Sequence, residues 1–129
     1  MRAIKVTFVA GALLLAMQSG SFAQGSMMPE GVKATGNMLT DSNGMTLYTF
    51  DNDKEPGKSA CSGGCIKNWP ALAASAGAMA MGNWSQITRD DGSKQWAYKG
   101  KPLYTYSKDA KPGDMTGDGR GQVWHMAMQ

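Results

Sequence analysis

The chain has 129 residues and a formal net charge of +3, with 42% hydrophobic and 18% charged residues. This length predicts one small domain. Lysines and aspartates are interspersed rather than grouped, so the sequence lacks the basic stripe that follows nucleic-acid phosphates. Nucleic acid is therefore not an expected partner.

The N-terminus has the pattern of a secretory signal peptide. Arg2 and Lys5 precede an apolar run over 6–17, and Ser21-Phe22-Ala23 places small residues before a cut after Ala23. The run is shorter than the roughly 20 residues that span a membrane. No cysteine lies at the cut, so a lipid anchor is not supported. We expect residues 1–23 to be the signal peptide and 24–129 a single mature β-rich domain, periplasmic or secreted.

The mature sequence contains an internal duplication with an offset of 56 residues. When residues 36–57 are aligned with 92–113, eight of 22 positions are identical, at glycine, proline, turn and aromatic positions. LYTFDND at 47–53 thus returns as LYTYSKD at 103–109. Self-similarity of this kind indicates a repeated structural unit. We place the two repeats at about 36–70 and 92–127.

Turn residues within each repeat predict a β-hairpin. Asn43-Gly44 favours a type I′ turn, in which both central residues have positive φ. It would join a strand over 37–41 to one over 45–50. Lys99-Gly100 would join 94–98 to 102–106 in the same way. Because alternate side chains share a face of a strand, Tyr48 and Phe50 would point one way, as would Tyr104 and Tyr106.

The segments around the hairpins are less regular. Residues 84–89 and 122–128 have the β-branched and aromatic content of strands. A short helix within 65–72 would end or kink at Trp69-Pro70, 71–82 is an expected connector, and 24–33 an expected polar tail. The predicted fold class is mainly β, built as antiparallel hairpins from an internally duplicated module, with at most one short helix.

The repeated motif resembles that of a known family. Tyr48-x-Phe50-x-x-Asp53 and Tyr104-x-Tyr106-x-x-Asp109 are similar to the repeated Yx(FWY)xxD motif of bacterial envelope proteins described as predicted lipoproteins or secreted repeats of unknown function. Cys61-x-Gly63-x-Cys65, Trp69-Pro70 and Trp124-His125 also match its pattern. The resemblance implies an exported envelope protein and no particular activity. The missing cysteine at the cut departs from the lipidated members.

The motif residues have two interpretations. In the first, each tyrosine and its aspartate form one of two paired binding sites. In the second, the alternating aromatic residues fill the core, and Asp53 and Asp109 cap turns through backbone hydrogen bonds. We favour the second interpretation, because a duplicated fold needs such regular residues simply to close.

Cys61 and Cys65 are an even, closely spaced pair in an exported chain, which is most simply a disulfide. Redox catalysis usually shows two residues between its cysteines rather than three, and zinc would need further ligands beside the single histidine. A thiol–disulfide redox protein remains an alternative.

Nine methionines follow residue 23, and thioethers are soft donors that suit Cu(I). Copper is therefore a possible cofactor, with the candidate ligands Met79, Met81, His125, Met126 and Met128. On a strand, however, Met126 and Met128 would share a face with Trp124 while His125 points away. Methionine also fills gaps in ordinary cores.

Catalytic patterns are missing from the sequence: it has one histidine, no nucleophile elbow and no phosphate-binding loop. We therefore expect a non-catalytic exported envelope protein that binds an unknown ligand or partner, with no cofactor. A periplasmic copper-handling protein is the first alternative.

Overall fold

The computed structural model describes residues 28–75 and 77–129; the expected signal peptide at 1–23 lies outside them. Within these residues the chain is mainly β, with antiparallel pairing, one short α-helix and a 3-10 turn at Arg120–Gln122, which confirms the predicted fold class. The elements are β1 (Val32–Thr35), β2 (Met38–Asp41), β3 (Tyr48–Phe50), α1 (Gly64–Asn68), β4 (Trp84–Thr88), β5 (Lys94–Tyr98), β6 (Lys101–Pro102) and β7 (Trp124–Met126). They pair as β1–β2, β3–β7 and β4–β5–β6.

The first predicted hairpin forms only in part: Asp41 N donates to Met45 O at 2.9 Å and Leu47 N donates to Leu39 O at 3.0 Å. β2 pairs mainly with β1, so Val32 and Lys33 belong to a strand rather than to a polar tail. Asn43-Gly44 does not form a type I′ turn, because only Gly44 has positive φ (85°). The Asp41 carboxylate accepts the N–H of Asn43 at 2.8 Å and that of Met45 at 3.0 Å, which holds a different turn. The Thr40–Thr46 bridge lies between these two hydrogen bonds, and β3 then leaves β2 at Tyr48.

The second predicted hairpin is present, and its turn lies at the predicted residues Lys99-Gly100. Lys99 (φ 52°) and Gly100 (φ 84°) both lie in the left-handed region and join β5 to β6. The strand predicted over 84–89 is β4, which pairs along its whole length with β5. The strand predicted over 122–128 is the shorter β7.

The segment after α1 corrects another expectation. The helix ends at Asn68, ahead of Trp69-Pro70 as predicted, but the following residues are not a bare connector. Leu72 is buried; its N–H donates to Leu103 O at 2.9 Å, and its carbonyl accepts from Trp96 N at 2.9 Å. The beginning of the expected connector at 71–82 is therefore part of the packed fold.

An approximate two-fold relation connects the two repeats. Tyr48 N donates to Tyr104 O at 2.7 Å, and Tyr104 N returns the bond to Tyr48 O at 3.0 Å. Leu72 N bonds to Leu103 O at 2.9 Å, and Ala127 N bonds to Leu47 O at 2.8 Å. The end of each repeat thus pairs with the middle of the other, so neither repeat completes its hydrogen bonding alone.

Two groups of side chains form the interior. The Leu/Trp core consists of Val32, Leu39, Leu47, Leu72, Trp84, Trp96, Leu103 and Ala127. The aromatic core consists of Tyr48, Cys61, Trp69, Tyr104, Tyr106 and Trp124, with Phe50 packed against it. As predicted from strand alternation, the paired motif aromatics face the same side in each repeat.

No helix within 28–75 or 77–129 has the length and apolar character needed to cross a membrane.

Candidate functional site

The two motif tyrosines bond to the aspartates of the opposite repeats. Tyr48 Oη donates to Asp109 Oδ2 at 2.7 Å, and Tyr104 Oη donates to Asp53 Oδ2 at 2.7 Å. Both tyrosine side chains are fully buried. The motif therefore forms two crossed Tyr–Asp pairs at the contact between the repeats, rather than one independent site in each repeat.

The other oxygen of each aspartate holds a loop of its own repeat. Asp53 Oδ1 accepts from Ala60 N at 2.6 Å, and Asp109 Oδ1 accepts from Thr116 N at 2.9 Å. In both cases the donor is seven residues further along the chain. Each aspartate thus joins a loop of its own repeat to a tyrosine of the other repeat. It both accepts a backbone N–H, as in the turn-capping interpretation, and pairs with a tyrosine, as in the paired-site interpretation.

The Tyr48–Asp109 pair is enclosed by hydrogen bonds from Thr116 and Gly117. Thr116 Oγ1 also donates to Asp109 Oδ1, and Tyr48 Oη accepts from Gly117 N at 3.2 Å. Burial, and then the hydrogen bond to Asp109, raise the pKa of Tyr48 well above its usual value. A phenol held in this way is a structural donor, because it resists ionisation.

The pair around Asp53 continues into a longer network. Tyr104 Oη lies 2.6 Å from Ser59 Oγ, which accepts from Arg89 Nη1 at 2.8 Å. The Arg89 guanidinium also donates to Gln95 Oε1 at 2.8 Å and to Cys61 O. Burial, and then the bond to Asp53, raise the pKa of Tyr104. The pKa of Asp53 is also raised, because burial outweighs the donors that stabilise its charge.

This network is present in only one of the two quasi-equivalent halves. In the 56-residue register, Ser59, Arg89 and Gln95 occupy the places of Met115, Lys33 and Leu39. These three residues were not singled out from the sequence. They differ between the copies, but so do 14 of the 22 aligned positions (22 − 8), so this difference alone did not mark them.

Beside the network lies a cleft of about 280 Å³, called here the Arg89 cleft. Its lining includes Lys58, Ser59, Ser62, Thr88, Arg89, Asp90 and Asp91. Two basic and two acidic side chains therefore face one cleft, with hydroxyl groups between them. The cleft adjoins the buried Tyr104–Asp53 pair through Ser59.

The other motif aromatics form a continuous stack. Phe50 packs on Trp124 with ring centroids 4.1 Å apart, Trp124 on Trp69 at 3.8 Å, and Trp69 on Tyr106 at 4.0 Å. Trp69 and Trp124 are 55 residues apart, one residue short of the 56-residue register, so the two central rings come from corresponding regions of the two repeats. Aromatic pairs add about 0.5–1.5 kcal/mol each beyond burial.

The predicted disulfide between Cys61 and Cys65 is present, with Cα atoms 5.2 Å apart. Gly63, at the middle of the loop, has a φ of 61°, which glycine adopts without steric cost. Cys61 is fully buried in the aromatic core, and its carbonyl accepts from Arg89. The disulfide loop therefore supports one side of the Arg89 cleft.

The candidate copper ligands do not all meet at one place. His125, Met126 and Met128 line a groove of about 260 Å³, whereas Met79 and Met81 lie outside it. Met126 packs against the aromatic core, while His125 is exposed with its Nε2 2.8 Å from Asp51 Oδ2. Met79 is 74% exposed and Met128 48% exposed. Among the described residues, no three His, Cys, Asp or Glu side chains are grouped to hold a metal.

These features define a class of protein: a duplicated β module whose copies are joined by crossed Tyr–Asp pairs and a shared aromatic stack. A family model described as a secreted repeat of unknown function matches the chain twice, at residues 32–73 and 85–128. The chain belongs to this family of secreted repeats, and the internal duplication is confirmed. No curated protein and no solved structure matches it significantly.

Proposed function

We propose that this protein is a non-catalytic binding protein that acts outside the cytoplasm, in the periplasm or after secretion, and holds a small polar ligand in the Arg89 cleft. The observation that carries the proposal is the asymmetry between the two motif sites. The half around Asp109 is closed by Thr116 and Gly117, whereas the half around Asp53 extends through Ser59 and Arg89 to an open cleft.

The hydrogen bonding of the motif residues supports a non-catalytic role. Tyr48 and Tyr104 donate to carboxylates and have raised pKa values, so neither is poised as a base or nucleophile near neutral pH. Arg89 is held by three acceptors. These groups support a rigid wall for binding rather than a reacting centre.

The lining of the Arg89 cleft indicates the ligand chemistry. Lys58 and Arg89 are balanced by Asp90 and Asp91, so the cleft has no strong preference for either sign of charge. Its hydroxyl groups both donate and accept. A neutral or zwitterionic molecule with both donors and acceptors, such as a sugar unit or an amino acid, fits this lining. The volume is below the roughly 300–1,000 Å³ of sites for drug-sized ligands.

The test is a titration of purified protein with neutral sugars and free amino acids, followed by calorimetry. Ser62→Ala and Asp90→Ala should weaken binding, whereas Glu30→Ala, an exposed change outside the cleft, should not. Mass spectrometry of the recovered ligand should show no chemical change. Conversion to a product, or affinity unaffected by both cleft variants, would overturn the proposal.

A further inference from the structure

The four-ring stack has an internal symmetry that its two ends break. Its order is Phe50, Trp124, Trp69, Tyr106, so the central tryptophans and the outer rings are matched between the repeats. The Phe50 end and the Tyr106 end would therefore be alike if the copies were identical. They differ in sequence at the outer ring itself and in the charges placed beside it.

Two cations lie at the Tyr106 end. The Arg120 guanidinium is 5.4 Å from the centroid of the Tyr106 ring, and its Nε donates to Thr116 O at 3.2 Å, which orients the side chain. Lys108 lines the same surface groove as Tyr106 and Arg120. In the 56-residue register these two residues correspond to Asn52 and Gly64, which carry no charge.

Together these residues line a groove of about 250 Å³, called here the Lys108/Arg120 groove. Its lining includes Asn68, Trp69, Tyr106, Lys108, Arg120 and Trp124. Within the described part of the chain, no carboxylate contributes to this lining. The groove thus differs from the Arg89 cleft, where acidic and basic side chains balance.

The aromatic lining adds to the positive character of the groove. Both faces of Trp69 are covered, by Trp124 and by Tyr106, and both faces of Trp124 are covered, by Phe50 and Trp69. What these two indoles present to the groove is therefore their edges. The edge of an aromatic ring carries the positive part of its quadrupole, and so complements an anion.

We propose that the Lys108/Arg120 groove binds a small ligand that carries a phosphate or a carboxylate. Arg120 and Lys108 bind the anionic group through charge-assisted hydrogen bonds. The edges of Trp69 and Trp124 contact the body of the ligand, and the Asn68 amide offers a further donor. The volume fits one small unit, or one end of a longer molecule.

The tryptophans provide an internal control for the test. Of the four tryptophans, Trp69 and Trp124 line the groove, whereas Trp84 and Trp96 lie in the Leu/Trp core. Nuclear magnetic resonance of the indole N–H groups should therefore separate binding in the groove from general effects. The probes are inorganic phosphate, glucose 6-phosphate and glucuronate, with glucose as the uncharged control.

We expect the anions, and not glucose, to shift the Trp69 and Trp124 signals while Trp84 and Trp96 stay unchanged. A preference for glucose 6-phosphate over glucuronate assigns the ligand to phosphates, and the reverse order assigns it to carboxylates. Lys108→Asn combined with Arg120→Gln should weaken binding about tenfold or more, since both charge-assisted contacts are lost. Lys99→Gln combined with Lys101→Gln removes two exposed cations elsewhere and should leave it unchanged.

Two outcomes would overturn the proposal: no selective shift with any of the three anions at millimolar concentration, or shifts that persist in the Lys108/Arg120 double variant. Neither bears on the Arg89 cleft, which is lined by different residues and is tested with uncharged and zwitterionic ligands.

Discussion

Phenylalanine substitution of the motif tyrosines tests how the two repeats are joined. Tyr48→Phe removes the hydroxyl that donates to Asp109 Oδ2 at 2.7 Å and accepts from Gly117 N. Asp109 is only 6% exposed, so little water can replace the lost donor. A hydrogen bond to a charged group contributes about 1.5–3 kcal/mol, and we expect a loss of stability in that range.

Tyr104→Phe should cost less, about 1 kcal/mol, which is the net value of an ordinary hydrogen bond. Asp53 is more exposed than Asp109 and keeps the donor Ala60 N, so water can satisfy the freed oxygen. Ser59 also keeps its bond from Arg89. The two otherwise equivalent substitutions should therefore differ because their surroundings differ.

Double-mutant cycles identify the partner of each tyrosine directly. Urea denaturation of Tyr48→Phe, Asp109→Ala and the double variant should give a coupling energy of about 1.5–3 kcal/mol. The control cycle pairs Tyr48→Phe with Asp53→Ala, within one repeat. Because these two side chains share no hydrogen bond, their effects should add to within about 0.5 kcal/mol. Stronger coupling within a repeat than across repeats would refute the crossed arrangement.

Three further predictions concern the interior and the methionines. Stability should fall as the pH rises above the unfolded tyrosine pKa of 10.0, because Tyr48 and Tyr104 resist ionisation only when folded; tyrosinate absorbance of wild type and Tyr48→Phe checks this. Gly117→Ala should cost about 1–3 kcal/mol in thermal unfolding, since its Cβ would lie 2.7 Å from the Trp69 ring, whereas Gly77→Ala meets nothing within 4 Å. In a Cu(I) titration against a chelator we expect only weak binding, because Met126 packs against the aromatic core; tight stoichiometric binding would contradict this.

Local chemistry accounts for the features that were predicted well. Lys99-Gly100 forms its turn because two adjacent residues with positive φ are enough to reverse a chain. The helix ends ahead of Pro70 because proline cannot continue the backbone hydrogen bonding. The four-residue separation of Cys61 and Cys65 lets their Cα atoms approach to 5.2 Å. Each of these depends on residues that are neighbours in the chain.

The partly formed first hairpin shows where local reasoning ends. Asn43-Gly44 is a strong turn signal, yet the side chain of Asp41 accepts two backbone N–H groups and selects another turn. β3 then pairs with β7, more than seventy residues away, instead of with β2. Pairing over such a distance depends on the whole chain path, which no short window contains.

The sequence by itself determined that a module is repeated, which aromatics share a face, and where a disulfide closes. Only the tertiary structure decided that each tyrosine reaches the aspartate of the other repeat, since both aspartates have the same local context. It also decided that Ser59, Arg89 and Gln95 meet in one network. The physical reason is that a hydrogen bond requires atoms within about 3 Å, and residues far apart in sequence reach that distance only through the packing of the two repeats.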